Sequence, residues 1–203
     1  MRVIAVLMAF CVAMAGAANA ATVTVNNHSF ENGTTDWVTG GTVGTFSPAG
    51  FPSTGAAFIA GVDGSDVGFS NNGGFSQVLT DTVAAGEYTL TVAVGDRADT
   101  SLPVYIVRLL AGTTTIADAT DPSITSGWAD VVASVTIADG DALIGQNLAI
   151  ELVGFGTQVN FDNVRLDFEL ATGPAPIPLP ASVLLLGGAI GGMSLLRRRR
   201  KPA

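Results

Sequence analysis

The central part of the chain alternates. In Tyr88-Thr89-Leu90-Thr91-Val92-Ala93-Val94, four apolar residues (Tyr88, Leu90, Val92, Val94) share one side, and small or polar residues take the other. Asn147 to Leu152 repeats the pattern. A period of two marks a strand with one buried face. Val131–Ile137 is a further strand, and Val104–Leu110 (VYIVRLL) reads as one buried on both faces. Shorter strands are predicted at Thr22–Val25, Thr42–Phe46, Ala56–Ile59 and Phe75–Leu79. Turn signals separate them at Ala85-Gly86, Ala111-Gly112, Asp139-Gly140 and Gly154-Phe155-Gly156. Asp63 to Gly74 holds little apolar mass and reads as a solvated loop. Helical periodicity is nearly absent between Ala21 and Leu170, and roughly nine to eleven short strands predict an all-β sandwich.

The last strand carries a fault in its pattern. Val159 and Phe161 lie on one parity, and Val164, Leu166 and Phe168 on the other. A regular strand cannot turn its inward face over, so a β-bulge belongs at Asp162-Asn163. A bulge frees backbone carbonyls and aims a carboxylate sideways, and these are the hard oxygen ligands calcium takes.

The two ends are different polymers. Met1 to Ala20 has a basic start at Arg2, an apolar stretch from Val3 to Ala15, and Ala18-Asn19-Ala20 as a small-x-small cleavage site. That is the pattern of a secretory signal peptide cleaved after Ala20. The only cysteine, Cys11, leaves with it, so the mature chain has no thiol. Residues 21–172 then form the domain. They hold all 17 carboxylates against three arginines (Arg97, Arg108, Arg165), a formal charge of −14 against −8 for the whole chain. A domain this acidic excludes nucleic acid as a partner, since phosphate binding needs a basic surface. Residues 173–203 are a Pro-rich linker, an uncharged run at 181–196 that reads as a short transmembrane helix, and a basic tail (Arg197, Arg198, Arg199, Arg200, Lys201).

Two resemblances emerge. Asn27-His28-Ser29-Phe30-Glu31 followed by Trp37, then Gly86-Glu87-Tyr88-Thr89-Leu90, then Phe161-Asp162-Asn163-Val164-Arg165-Leu166 stand in that order. The set resembles the galactose-binding-like jelly rolls that include many carbohydrate-binding modules. The resemblance implies a jelly-roll β-sandwich, and a structural calcium held by Glu31 and Asp162 with backbone carbonyls. The alternative for that pair is a turn cap at Glu31 and a carboxylate at Asp162 satisfying amides around the bulge. The second resemblance lies in the tail. Ile177-Pro178-Leu179-Pro180-Ala181, the apolar glycine-rich run and the arginine cluster resemble a PEP-CTERM sorting signal of the VPLPA type. It implies a Gram-negative bacterium, retention in the inner membrane by Arg197–Lys201, processing by an exosortase-type enzyme near Pro178-Leu179-Pro180-Ala181, and delivery to the cell surface or extracellular matrix. A plain single-pass anchor is the alternative.

Catalytic motifs are scarce. His28 is the single histidine, and its place beside Asn27 reads as structural. The chain lacks a nucleophile elbow and a phosphate loop. Trp37 and Trp128 are expected in the core; Phe46, Phe51 and Phe69 lie in Gly- and Pro-rich stretches open to exposure and form no pattern that names a subsite. The expectation is therefore an exported, non-enzymatic protein interacting with extracellular polysaccharide or biofilm matrix. The alternative is a structural or adhesive surface protein that binds protein partners without sugar affinity.

Overall fold

The alternating segments pair into nine antiparallel strands in a computed structural model that describes residues 20–120, 124 and 127–171. They are β1 (Ala20–Val23), β2 (Val38–Phe46), β3 (Val67–Thr82), β4 (Gly86–Asp96), β5 (Val104–Ala111), β6 (Thr114–Ala119), β7 (Gly127–Ile137), β8 (Asn147–Phe155) and β9 (Val159–Leu170). The hydrogen-bonded order is β6-β5-β8-β3-β9-β4-β7, with β2 on β3 and β1 on β9. The end strands β6 and β7 touch, so the sheet folds over and nearly closes. The result is a strand-rich, jelly-roll-like sandwich. The compact unit that holds it ends at Ala171.

β3 makes the corner between the two layers. Its first part, Gly68–Ser70, pairs with β9, and its later part, Gly73–Val78, pairs with β8. Val67–Gly74 is thus strand, where sparse apolar residues predicted loop. Its order comes from cross-strand partners. At Gly73 a Cβ would fall 2.4 Å from the Gly40 carbonyl oxygen, so only glycine lets β2 and β3 meet there.

Ala56–Ile59 also departs from expectation. It lies in a short helix, α1 (Ala56–Ala60), bracketed by Gly55 and Gly61. Alanine favours helix, and a four-residue apolar run cannot by itself distinguish the two states. β5 alternates rather than being buried on both faces. Tyr105, Val107, Leu109 and Ala111 are buried, while Ile106, Arg108 and Leu110 are half-exposed on the outer side.

The core lies between the layers. Phe30 stacks on Trp37 at 5.3 Å and tilts against Phe75 at 5.0 Å; Phe75 meets Phe161 edge-on at 6.4 Å. Each such ring buries about 150–250 Å². The opening segment is bound into this core by polar contacts. Gln77 exchanges two hydrogen bonds with the backbone of Asn26, donating to its carbonyl and accepting from its amide, both at 2.9 Å. The indole N–H of Trp37 donates to the Asn27 carbonyl.

The bulge stands in β9. Between Thr91 and Ala93 of β4, β9 advances from Arg165 to Asp162, one residue too many, and Asn163 takes a positive φ of 45°. The Val164 amide freed by this irregularity donates to the His28 carbonyl. The break in sequence parity therefore ties the opening motif to the closing strand.

The leader before Ala20, and the linker, apolar run and basic tail at 173–203, lie outside the described residues. Among the described residues no helix is long and apolar enough to cross a membrane.

Candidate functional site

Two places carry chemistry. The first is the junction of the opening and closing motifs, where Glu31 and Asp162 come together around the loop at 63–66. Glu31 Oε1 accepts from the amides of Ser65 (2.8 Å) and Asp66 (2.7 Å). Asp162, placed beside the bulge, is fully buried, and its two oxygens accept from the amides of Asp63 (2.7 Å) and Asn163 (2.8 Å). Burial pushes the Asp162 carboxyl up to about 7, its amide bonds oppose that, and the charges of Asp63 and Glu31 add to it. Ser29, itself buried, donates to Asp63 and contacts His28 Nδ1 at 2.6 Å. Glu31, Asp63 and Asp162 are thus neighbouring carboxylates, and no basic side chain figures among the groups that set the Asp162 titration. Among the described residues no set of three or more His, Cys, Asp or Glu converges as metal ligands.

The second place is the outward face at the far end of the β9/β4/β7 layer. Register sets Asn160, Gly95 and Trp128 side by side there, with Phe69 beyond Asn160. Rings collect above them because Gly95 has no side chain: a Cβ at that position would lie 2.6 Å from Phe58 and 2.8 Å from Trp128. Phe58, on α1, stacks on Trp128 at 4.8 Å, and the Trp128 indole N–H donates to the Phe58 carbonyl at 2.7 Å. Phe46 joins Phe51 (5.6 Å), Phe69 (6.2 Å) and Phe58 (6.5 Å), and the Arg97 guanidinium lies 5.7 Å from its ring centre. Phe51 is 53% exposed. Trp128 is half-buried on this face rather than in the core, whereas Trp37 is core as expected.

At the same strand end stands Asp96, which continues the core-side parity of Leu90, Val92 and Val94. It is 9% exposed, and its Oδ1 is buried without a hydrogen-bond partner. Burial raises its pKa. An unpaired buried carboxyl oxygen costs about 1–3 kcal/mol, so a fold that keeps one calls for an explanation.

The structure places Glu31 and Asp162 around one loop, and Asp96 and Arg97 were not singled out from the sequence. The available signal was an acid on the buried parity at the end of an apolar strand, followed at once by Arg97 and Asp99. Ala20, the expected cleavage residue, opens β1 opposite Glu169. Pro178, Leu179, Pro180, Ala181 and Arg197–Lys201 lie outside the described residues.

A family model described as HpiC1-like, HpiC1 cyclase, matches residues 21–167. None of the curated proteins matches the chain. Among solved structures, a Stig cyclase from Fischerella sp. TAU in complex with (3Z)-3-(1-methyl-2-pyrrolidinylidene)-3H-indole superposes with a TM-score of 0.63 at 22% identity, over 76% of this chain and 100% of that one. A cyclase from the same source in complex with 4-(1H-indol-3-yl)butan-2-one gives 0.60 at 20% identity, over 75% and 100%. The xylan-binding domain of a Paenibacillus barcinonensis protein is more distant, at 0.47 and 17% identity, over 71% and 94%.

The family match corrects two expectations. The chain is not a non-enzymatic matrix protein, and neither the polysaccharide or biofilm reading nor its adhesive alternative stands. The error has a physical root: histidine, cysteine and serine motifs are legible along a chain, whereas side chains brought together from distant strands are not. The PEP-CTERM signal, its exosortase and the transmembrane run gain no support from a match that ends at residue 167.

Proposed function

Because the chain belongs to the HpiC1-like family, described as HpiC1 cyclase, we propose that it closes a ring on a flat, apolar aromatic substrate held at the Phe46/Phe51/Phe69/Trp128 end of the sandwich. One observation carries the reading: an aromatic cluster stands at the same strand end as a buried acid with a free oxygen. Stacking on the rings supplies binding without charge. Ring closure at carbon needs an electrophile, and a carboxyl whose hold on its proton is strengthened by burial can generate one by donating that proton. Asp96 is that group in this reading, reached around the end of β4, since it stands on the core side and the rings on the outer side. The Fischerella ligands, an indolylidene pyrrolidine and an indolyl ketone, suggest an indole-like substrate. The test is to incubate purified protein with indoles carrying a pendant alkene or ketone. Chromatography and mass spectrometry would follow ring-closed products, and chiral separation would show whether one enantiomer dominates. Absence of conversion across the panel would sink the reading.

A calcium ion at Glu31 and Asp162 belongs to the same proposal. The donor set suits it: hard carboxylate oxygens, one of them fully buried, in a neighbourhood with a surplus of negative charge. Glu31 and Asp162 would hold it, with Asp63 adjacent, and its role would be to fasten the opening motif to the bulge. A bound ion would supply positive charge that favours the ionised form of Asp162. Export through Met1–Ala20, with cleavage after Ala20, completes the reading, and the N-terminal sequence of the secreted protein checks it.

A further inference from the structure

Arg97 follows directly on β4 and joins its neighbour Asp99 to two partners remote in sequence, Gln158 and Phe46. Its Nε and Nη2 donate to Asp99 Oδ1 and Oδ2 at 2.8 and 2.7 Å, a fork-on-fork pair. Nη1 donates to Gln158 Oε1 at 2.7 Å, and the guanidinium covers one face of Phe46. Asp99 Oδ2 also accepts from Ser53 Oγ at 2.8 Å. One residue on, the Thr54 carbonyl accepts from the Ala98 amide at 2.9 Å. The segment from Ser47 to Gly61, which bears Phe51 and Phe58, is thus fixed at its middle through Asp99 and Ala98.

The other arm is held under strain. Gln158 has a φ of 36°, uncommon for a residue with a side chain, and its amide donates to Asn71 Oδ1 at 2.7 Å. Its side-chain nitrogen donates onward to Asn160 Oδ1 at 3.2 Å, beneath the ring cluster. Among the described residues Arg97 is the one cation at this junction, whose arms reach Ser53 through Asp99, Asn160 through Gln158, and Phe46 directly. Arg97 and Ser53 hold Asp99 down at about 2, so the pair stays ionised through neutral pH.

We infer that Arg97 is a positioning residue. It clamps the Ser47–Gly61 segment to the sheet end and fixes Phe46 as a platform for a flat, uncharged aromatic ligand. Asp99 cancels the guanidinium charge, so the platform has no surplus positive charge with which to hold a carboxylate. The ligand class rests on the proposed function; the clamp does not. A planar guanidinium is needed for the fork on Asp99, whereas any cation can sit over Phe46.

The experiment compares the full protein with Arg97→Ala and Arg97→Lys by hydrogen exchange and by calorimetric titration with indole. In Arg97→Ala, amides of 48–61 exchange about tenfold faster while those of β4 and β9 keep their protection. Indole affinity falls about tenfold. Arg97→Lys regains part of the affinity but not the exchange protection. Unchanged exchange at 48–61 in Arg97→Ala overturns the clamp, as does loosening that spreads equally over β4 and β9. Local loosening in a protein whose wild type takes no indole upholds the clamp and removes the proposed ligand instead.

Discussion

Asp96 sets stability against function within one residue. Burial raises its pKa, so the folded chain holds that proton more tightly than the unfolded chain. Its contribution to stability is therefore greatest at acid pH and declines as pH rises through the raised value. Asp96→Asn removes the ionisation and should melt higher than wild type at neutral pH, the difference closing towards the ordinary carboxylate range near pH 4. The same change should lower ring-closing activity by about 100-fold or more, since an amide cannot donate the proton. A variant that melts higher and still cyclises would end the acid assignment. Asp162 follows the same sign on a larger scale. Its carboxyl stands at about 7 against an ordinary 3.8, so the metal-free protein loses stability between those values as pH rises. The loss is at most about 4 kcal/mol. Thermal melts in EDTA from pH 4 to 8 should fall along that window, and a flat profile would refute the shift. Neither behaviour is legible in sequence, where both are simply aspartates; burial makes them unusual.

At the scale of elements, β9 and the opening segment act as one piece. The bulge needs Asn163 at positive φ, a conformation asparagine tolerates and β-branched residues do not. Asn163→Val should cost about 1–2 kcal/mol in chemical denaturation, and Asn163→Gly should be near neutral. If both variants matched wild type, the bulge would not be a constraint on the fold. The bulge was legible because a parity switch among five apolar residues leaves a strand no other solution. α1 and the first half of β3 were not. Their states depend on what packs on them: the Trp128 indole bonded to the Phe58 carbonyl, and β2 and β9 flanking Gly68–Ser70.

At the scale of the whole molecule, the sandwich of residues 21–172 carries a formal charge of −14, with its carboxylates partly crowded at one junction. Self-repulsion of that size opposes compaction, so added salt should raise the melting temperature, and calcium should do so more strongly at far lower concentration. At one hundred times its dissociation constant a bound ion adds about 2.7 kcal/mol, or about 5–10 °C for a domain of this length. Equal effects of calcium and of matched ionic strength from sodium chloride would remove the specific site and leave only screening. Asp162→Ala should abolish the calcium increment while sparing the salt response.

The sequence by itself determined the all-β class, the closing bulge and the acidity of the domain. Alternation, parity and composition are local or additive quantities, and a chain displays them without being folded. Only the tertiary structure decided that Phe46, Phe51, Phe58, Phe69 and Trp128 share one face, and that Asp96 loses its solvent without gaining a partner. It also decided that Arg97 reaches Asp99, Gln158 and Phe46 at once. These depend on which strands become neighbours across some sixty residues of chain, and no short motif encodes that.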